Sequence, residues 1–217
     1  MVTKMKLRAL GEARGILGIL AICCVLSLAL LPPAAIFFAG LFLFSLYFFR
    51  DPERQPPADE NLAVAPADGV VVEIKETGED HLIKGKVKRI AIFLSIFDVH
   101  VNRAPIAGRI THSEAASGRF LDARNPSSTD VNARRTWAIE GKEKMVVVRQ
   151  ITGAIARRIC AWKKVGDSVE RGERFGMIRF GSRTEVDLPI EAEILVKLRE
   201  RVRGGETPIA RLRTTQE

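Results

Sequence analysis

Cysteine and histidine are scarce in this 217-residue chain, three of each, and where they stand excludes whole classes of chemistry. Cys23 and Cys24 lie side by side in an apolar run and Cys160 stands alone, so neither a disulfide framework nor a zinc quartet can be assembled. His81, His100 and His112 form no His-x-His or His-Glu-x-x-His pairing, and no Cys-x-x-Cys occurs. A metal site is not expected, and a metallopeptidase of β architecture fails for want of ligands. Aromatic residues make up only 6% of the chain, without the dense basic stripe and stacking rings that nucleic acid calls for. No Gly-x-Ser-x-Gly elbow is present either.

Charge is absent from residues 15 to 49, "GILGILAICCVLSLALLPPAAIFFAGLFLFSLYFF". A cleaved signal peptide would have a shorter apolar core followed by polar sequence; here the apolar run continues past Pro32-Pro33, so it reads as a retained membrane anchor. One continuous helix of that length would run ~52 Å against a ~30 Å hydrocarbon core, whereas Gly15 to Leu31 and Ala34 to Phe49 would each run about 25 Å. A helical hairpin broken at the prolines is expected, with a single tilted span as the alternative. Lys4, Lys6, Arg8 and Arg14 precede the run and Arg50 and Arg54 follow it, which places both ends in the cytoplasm and the following domain at the cytoplasmic face of the cell membrane.

Residues 51–217 read as a separate, mainly β domain behind a 1–50 anchor. The region after Arg50 holds 29 of the 34 Lys+Arg and 25 of the 26 Asp+Glu, so it is only mildly basic. The Arg-rich end "KLRERVRGGETPIARLR" suits an anionic membrane surface or, equally, a solvated charged face. A proline-rich exit, "RDPERQPPADENLAVAPADG", leads into short β-branched runs separated by Gly, Asp and Pro: "GVVVEIKE", "KRIAIFLSI", "GRITHSE", "EKMVVVRQIT", "ARRICAW", "RFGMIRF" and "AEILVKL". Such runs predict an all-β sandwich or barrel, with a helical turn only at "SGRFLDARN". "KKVGDSVERGERFGMIRF" resembles the turn of lipoyl- and biotinyl-carrier-type sandwiches, but no carrier lysine sits at a Met-Lys hairpin, so the signal concerns fold and not carrier function.

Three residues could carry chemistry. Ser182 follows Gly181 after an apolar run, and an adjacent serine can add to the unobstructed glycine carbonyl, converting amide to ester. The plain alternative is a Gly-Ser turn. Asp68 in "PADG" is equally a Pro-initiated turn residue, and His100 at the end of "FLSIFDVHV" is equally a structural hydrogen-bonder. Together an acid, an imidazole and a serine could form a base-and-orienter set.

The chain resembles the phosphatidylserine decarboxylase proenzymes of short bacterial and archaeal type. The resemblance is carried in order by "FFRDPER", "APADGVVVEI", "IFLSIFDVHVNRAPIAGRI", "VNARRTWAIEG", "ITGAIARRI", "GDSVERGERFGMIRFGSRTEVDLP" and "VRGGETPIARL". It implies that the chain cuts itself between Gly181 and Ser182 into a β chain (1–181) and an α chain (182–217) that stay together as a heterodimer, with higher oligomers open. It also implies that Ser182 becomes a covalent pyruvoyl cofactor, which takes the amine of phosphatidylserine in Schiff-base linkage and releases CO2 and phosphatidylethanolamine. The longer family members carry Leu-Gly-Ser-Thr where this chain has Phe180-Gly181-Ser182-Arg183, and a second histidine where Arg103 stands. His100 then matches the histidine that assists decarboxylation, Asp68 takes the role of base for self-cleavage with the histidine as alternative, and Arg103 becomes a candidate contact for a substrate carboxylate or phosphate. A different class, an inactive membrane-tethered adaptor sandwich, predicts one intact chain. Diester and archaeal-type lipids would present the same serine headgroup.

Overall fold

A computed structural model of the protein describes residues 2–122, 128–142, 144–154, 158–179 and 182–212. The chain divides into two compact units, Met1–Pro52 and Glu53–Glu217. The first is a pair of helices, α1 (Val2–Leu30) and α2 (Pro32–Phe48), packed on each other. The break falls at Leu31, and Pro32 and Pro33 occupy the first positions of α2, where a missing N–H costs nothing and the fixed φ suits a helix start. α1 begins well before Gly15 and takes the basic N-terminal residues into the helix. Its Arg8–Leu30 portion is long and apolar enough to cross a membrane, while α2 is shorter at 17 residues.

The second unit is almost entirely β. Its elements are β1 (Leu62–Val64), β2 (Gly69–Asp80), β3 (Gly85–Leu94), β4 (Val101–Arg103), β5 (Gly108–Ala116), a helical turn α3 (Ser128–Val131), β6 (Arg134–Glu140) and β7 (Met145–Thr152). There follow β8 (Arg158–Ala161), β9 (Ser168–Val169), β10 (Arg174–Arg179), β11 (Ser182–Pro189), β12 (Glu193–Ile194), β13 (Arg201–Val202) and β14 (Pro208–Arg211). The helical turn expected within "SGRFLDARN" is not found in its described part: Arg119 bridges to Asn132 in extended conformation, and the turn of helix lies further on, in α3.

Eight strands form one curled, half-barrel sheet in the order β13-β2-β3-β11-β7-β6-β5-β9, each neighbouring pair antiparallel. Bulges at Val71/Glu73, Thr77/Glu79 and Ile110/His112 add the local twist that curling requires. Two three-stranded sheets, β4-β10-β8 and β1-β14-β12, close over it. The interior holds Ile90 and Ile92 of β3, Ile139 of β6, Val148 of β7, Val186 and Leu188 of β11, and Ile209 and Ala210 of β14. Trp137 of β6 meets Phe175 of β10 edge-to-face at 5.2 Å, joining the large sheet to β4-β10-β8. Each such fully buried aromatic contributes on the order of 1.5–3 kcal/mol by burial.

β11 is central, and its alternation sorts its residues. Thr184, Val186 and Leu188 share one face; Arg183, Glu185 and Asp187 share the other, yet all six are buried. The charged face is covered by arginines. Asp187 accepts Arg89 Nε at 2.7 Å and Nη2 at 2.8 Å and also pairs with Arg149, which reaches Asp80. Glu185 accepts Arg183 Nε and Thr129 Oγ1, both at 2.7 Å, and Arg183 continues to Glu73. Burial alone would raise the Glu73 carboxyl, but its bonds to Lys75 and Arg183 hold it below the usual carboxylate range. Asp80 is likewise lowered: the cost of burial is outweighed by the Ile83 and Leu82 N–H groups and Arg149.

Candidate active site

Ser182 opens β11 and pairs with Leu94 of β3 on one side and Thr152 of β7 on the other. It shares the inward face with Thr184 and Val186. Its Oγ is wholly buried and has no hydrogen-bond partner among the described residues. A buried hydroxyl left unpaired costs about 1–3 kcal/mol, so its presence here calls for an explanation. Phe180 and Gly181 lie outside the described residues, and with them the linkage expected to be cut.

Asp68 stands at the same end of the large sheet. Val70 of β2 pairs with Phe93, Phe93 with Arg183, and one residue nearer the sheet end Leu94 pairs with Ser182; Asp68 precedes Val70 by two. Its carboxylate accepts the Gly204 N–H at 2.7 Å and Arg54 Nη2 at 2.9 Å, and Arg54 also reaches Glu206 at 2.8 Å. Burial pushes the Asp68 carboxyl above its ordinary value; Arg54 and the Gly204 N–H oppose that, Asp98 reinforces it, and Arg103 opposes it. The net direction is upward, which makes its deprotonated form a stronger base.

His100 follows the tight Ser95–Asp98 turn that leaves β3 just beyond the Leu94 partner of Ser182. In that turn Asp98 accepts the Ser95 N–H at 2.9 Å and Ser95 Oγ at 2.7 Å, while its other oxygen binds Arg201. His100 is fully buried and its Nδ1 lies 2.9 Å from the Asp98 carbonyl. A carbonyl only accepts, so Nδ1 carries the proton and Nε2 is the basic nitrogen of the neutral ring. Across the sheets, Asn102 Nδ2 donates to Thr184 Oγ1 at 3.2 Å, and the His100 carbonyl accepts the Ile178 N–H. His100 and Ser182 each precede that Asn102–Thr184 contact by two residues, on the side of the connection between β10 and β11. They therefore lie at the same end.

Arg103 is buried, with Nη1 donating to the Gly172 carbonyl at 3.1 Å. Gly205, at φ +79°, leaves room for it: a Cβ there would come within 2.6 Å of Arg103 Cδ. Its positive charge acts on Asp68.

Read from the sequence, Arg54 is only a charge flanking the apolar run, and Gly204 and Glu206 are not singled out, although "FFRDPER" and "VRGGETPIARL" carry them. The unread signal was a basic residue 14 positions before the acid it pairs with. The other partners come from the far end of the chain: Ala65 N–H donates to Thr207 O and Gly205 N–H to Ala65 O, so residues 204–207 hold the turn that bears Asp68.

The sequence profile of the phosphatidylserine decarboxylase family matches residues 41–210. Proteins named phosphatidylserine decarboxylase proenzyme are similar along most of their length. That of Symbiobacterium thermophilum is 47% identical over 176 residues, covering 80% of this chain and 81% of its own. Those of Carboxydothermus hydrogenoformans and Geobacter metallireducens are 47% identical over 174 residues and 46% identical over 175, covering 80% of this chain and 82% and 79% of their own. The match takes in Arg103 and, with the elements that bring them to one end of the sheet, Asp68, His100 and Ser182, and on it this chain belongs to the phosphatidylserine decarboxylase family.

Proposed function

We propose that this protein is a membrane-anchored decarboxylase of phosphatidylserine that matures by cutting its own chain between Gly181 and Ser182. The observation that carries the reading is the buried Oγ of Ser182, without a hydrogen-bond partner among the described residues, at the first position of a central strand. Such an oxygen suits attack on the preceding carbonyl. The proton leaves Oγ as the C–O bond forms and the amide becomes an ester; elimination frees residue 181 as a carboxylate, and hydrolysis of the remaining dehydroalanine releases ammonia. The same buried position suits the pyruvoyl group that results, whose carbonyl serves as an electron sink for an amine substrate.

The chain's own residues supply the rest. Asp68, raised by burial and held by Arg54 and the Gly204 N–H, is the base for the Ser182 proton. His100, with Nδ1 fixed by the Asp98 carbonyl, presents Nε2 for proton transfer during decarboxylation. Arg103, rigidly seated, acts on the substrate's anionic groups through its field. Residues 1–50 anchor the enzyme, and the basic residues on both flanks of the apolar run support residues 51–217 lying at the cytoplasmic face. The β chain (1–181) and α chain (182–217) remain joined because β11, central to the sheet, and β14 both belong to the smaller piece.

Mass spectrometry of the purified protein tests this directly. Two chains are expected, the smaller beginning with a pyruvoyl residue at position 182. A single intact chain in a preparation that decarboxylates phosphatidylserine refutes it.

A further inference from the structure

Four fully buried polar side chains form a line through the interior. Trp137 Nε1 donates to Gln150 Oε1 at 2.7 Å, and Gln150 Nε2 donates to Asn102 Oδ1 at 2.7 Å. Asn102 Nδ2 then donates twice, to Thr184 Oγ1 at 3.2 Å and to the Pro66 carbonyl at 3.3 Å. Gly176 makes the line possible. A Cβ there would sit 2.6 Å from the Cys160 carbonyl, forcing a shift of that strand, and would crowd Gln150 Nε2 at 3.2 Å.

The polarity of this line is fixed from both ends. An indole N–H can only donate, which turns the Gln150 oxygen toward Trp137 and its nitrogen toward Asn102. A carbonyl can only accept, which turns the Asn102 nitrogen toward Pro66. Both conditions select the same orientation of both amides. The two bonds made by Asn102 end two residues from Ser182, at Thr184, and two residues from Asp68, at Pro66.

We propose that Asn102 is a positioning residue, clamping the turn that bears Asp68 against the strand that begins with Ser182, with Trp137 and Gln150 holding its amide in the one productive orientation. The inference rests on the proposed self-cleavage at Ser182. The Asn102 side chain bonds Gln150, Thr184 and the Pro66 carbonyl, so its part is to set how the base and the nucleophile meet.

The experiment follows self-cleavage of the full-length chain over time by mass spectrometry, across a pH series, with thermal melting measured on each variant in a Ser182→Ala background. Thr184→Val removes one arm of the clamp while keeping the side chain's shape. It is expected to slow cutting roughly tenfold, the weight of one buried hydrogen bond. Thr184→Ser, which keeps the hydroxyl, restores most of that loss. Trp137→Phe removes only the donor that fixes polarity, leaves a ring against Phe175, and is expected to slow cutting several-fold.

In each slowed variant the plateau rate falls while the acid midpoint of cutting stays in place. The charges around Asp68, namely Arg54, Asp98 and Arg103, and the Gly204 N–H are untouched by these changes. A merely structural loosening that wets the Asp68 turn would instead move that midpoint down. Thr184→Val cutting at the wild-type rate, or slowing with a lowered midpoint, overturns the proposal. If Thr184→Val does not fold, Trp137→Phe decides by the same two readouts. A wild-type chain that never cuts, by contrast, refutes self-cleavage and not the clamp alone.

Discussion

Replacing Asp187 by Asn tests whether the charged face of β11 holds the sheet together. The substitution keeps shape and volume but removes the carboxylate that Arg89 grips at 2.7 and 2.8 Å and that Arg149 also binds. Asp187 is 0% exposed, so each partner loses one counter-charge inside the protein, Arg89 keeping Glu185 at 3.5 Å. Breaking a buried pair from one side costs about 3–5 kcal/mol. Arg89 and Arg149 retain 15% and 14% of their side-chain exposure, and Arg149 keeps Asp80, so partial hydration and the surviving bond bring the expected loss to about 3 kcal/mol. A fold of ordinary stability, about 5–15 kcal/mol, survives that and stays assembled at room temperature. The assay is urea unfolding of the full chain in mild detergent on a Ser182→Ala background, so that one uncut chain unfolds, read by Trp137 and Trp162 fluorescence. Arg201→Ala is the internal control: its bridge to Asp98 is on a side chain 64% exposed and contributes at most about 1 kcal/mol. A loss for Asp187→Asn no larger than that of the control refutes the view that the buried arginine lattice locks β11.

Other outcomes follow from the same geometry. Self-cleavage should rise with pH through a midpoint above the ordinary carboxylate range, because Asp68 must be deprotonated to act and burial raises it; Arg54→Ala removes an opposing influence and should move that midpoint higher, while Asp68→Asn should slow cutting at every pH, all read by gel densitometry. His100→Ala should still cut at least in part but release CO2 from phosphatidylserine poorly, measured by CO2 trapping. Glu73 and Asp80 are depressed in the folded state, so their contribution is present above the unfolded carboxylate range and is lost as pH falls through their lower folded values; acid unfolding should come earlier in urea-weakened protein, and Arg149→Met should remove part of that pH dependence. A chain starting near Asp51 should fold, since Glu53–Glu217 is compact by itself, and should lose more activity on bilayer substrate than on a dispersed short-chain analogue; equal loss on both refutes a role for the anchor in substrate access.

The amino-acid sequence by itself determined the uncharged 15–49 run with its break at the prolines, the mainly β character of the rest, and Ser182, Asp68 and His100 as the groups worth watching. These are local signals: apolar length, Pro chemistry, alternating β-branched runs and a motif order. Tertiary structure decided what the local pattern could not express. "SRTEVDLP" reads as charge, yet it is a central strand, because Thr184, Val186 and Leu188 alternate inward while arginines from β3 and β7 cover Glu185 and Asp187. "AEILVKL" reads as a strand, yet the strand is only Glu193–Ile194 against β14, with the Leu195 N–H still donating to the Ile209 carbonyl. Asp68 owes its raised carboxyl to burial, which outweighs the opposing pull of Arg54 and Gly204, 14 positions before it and 136 after it. Asn102 and Thr184, 82 residues apart, meet only because two sheets close face to face. A residue's type and its neighbours in sequence fix what it can donate, accept or ionise; which partner it finds, and how dry that meeting is, depends on chain segments that only the folded sheets bring together.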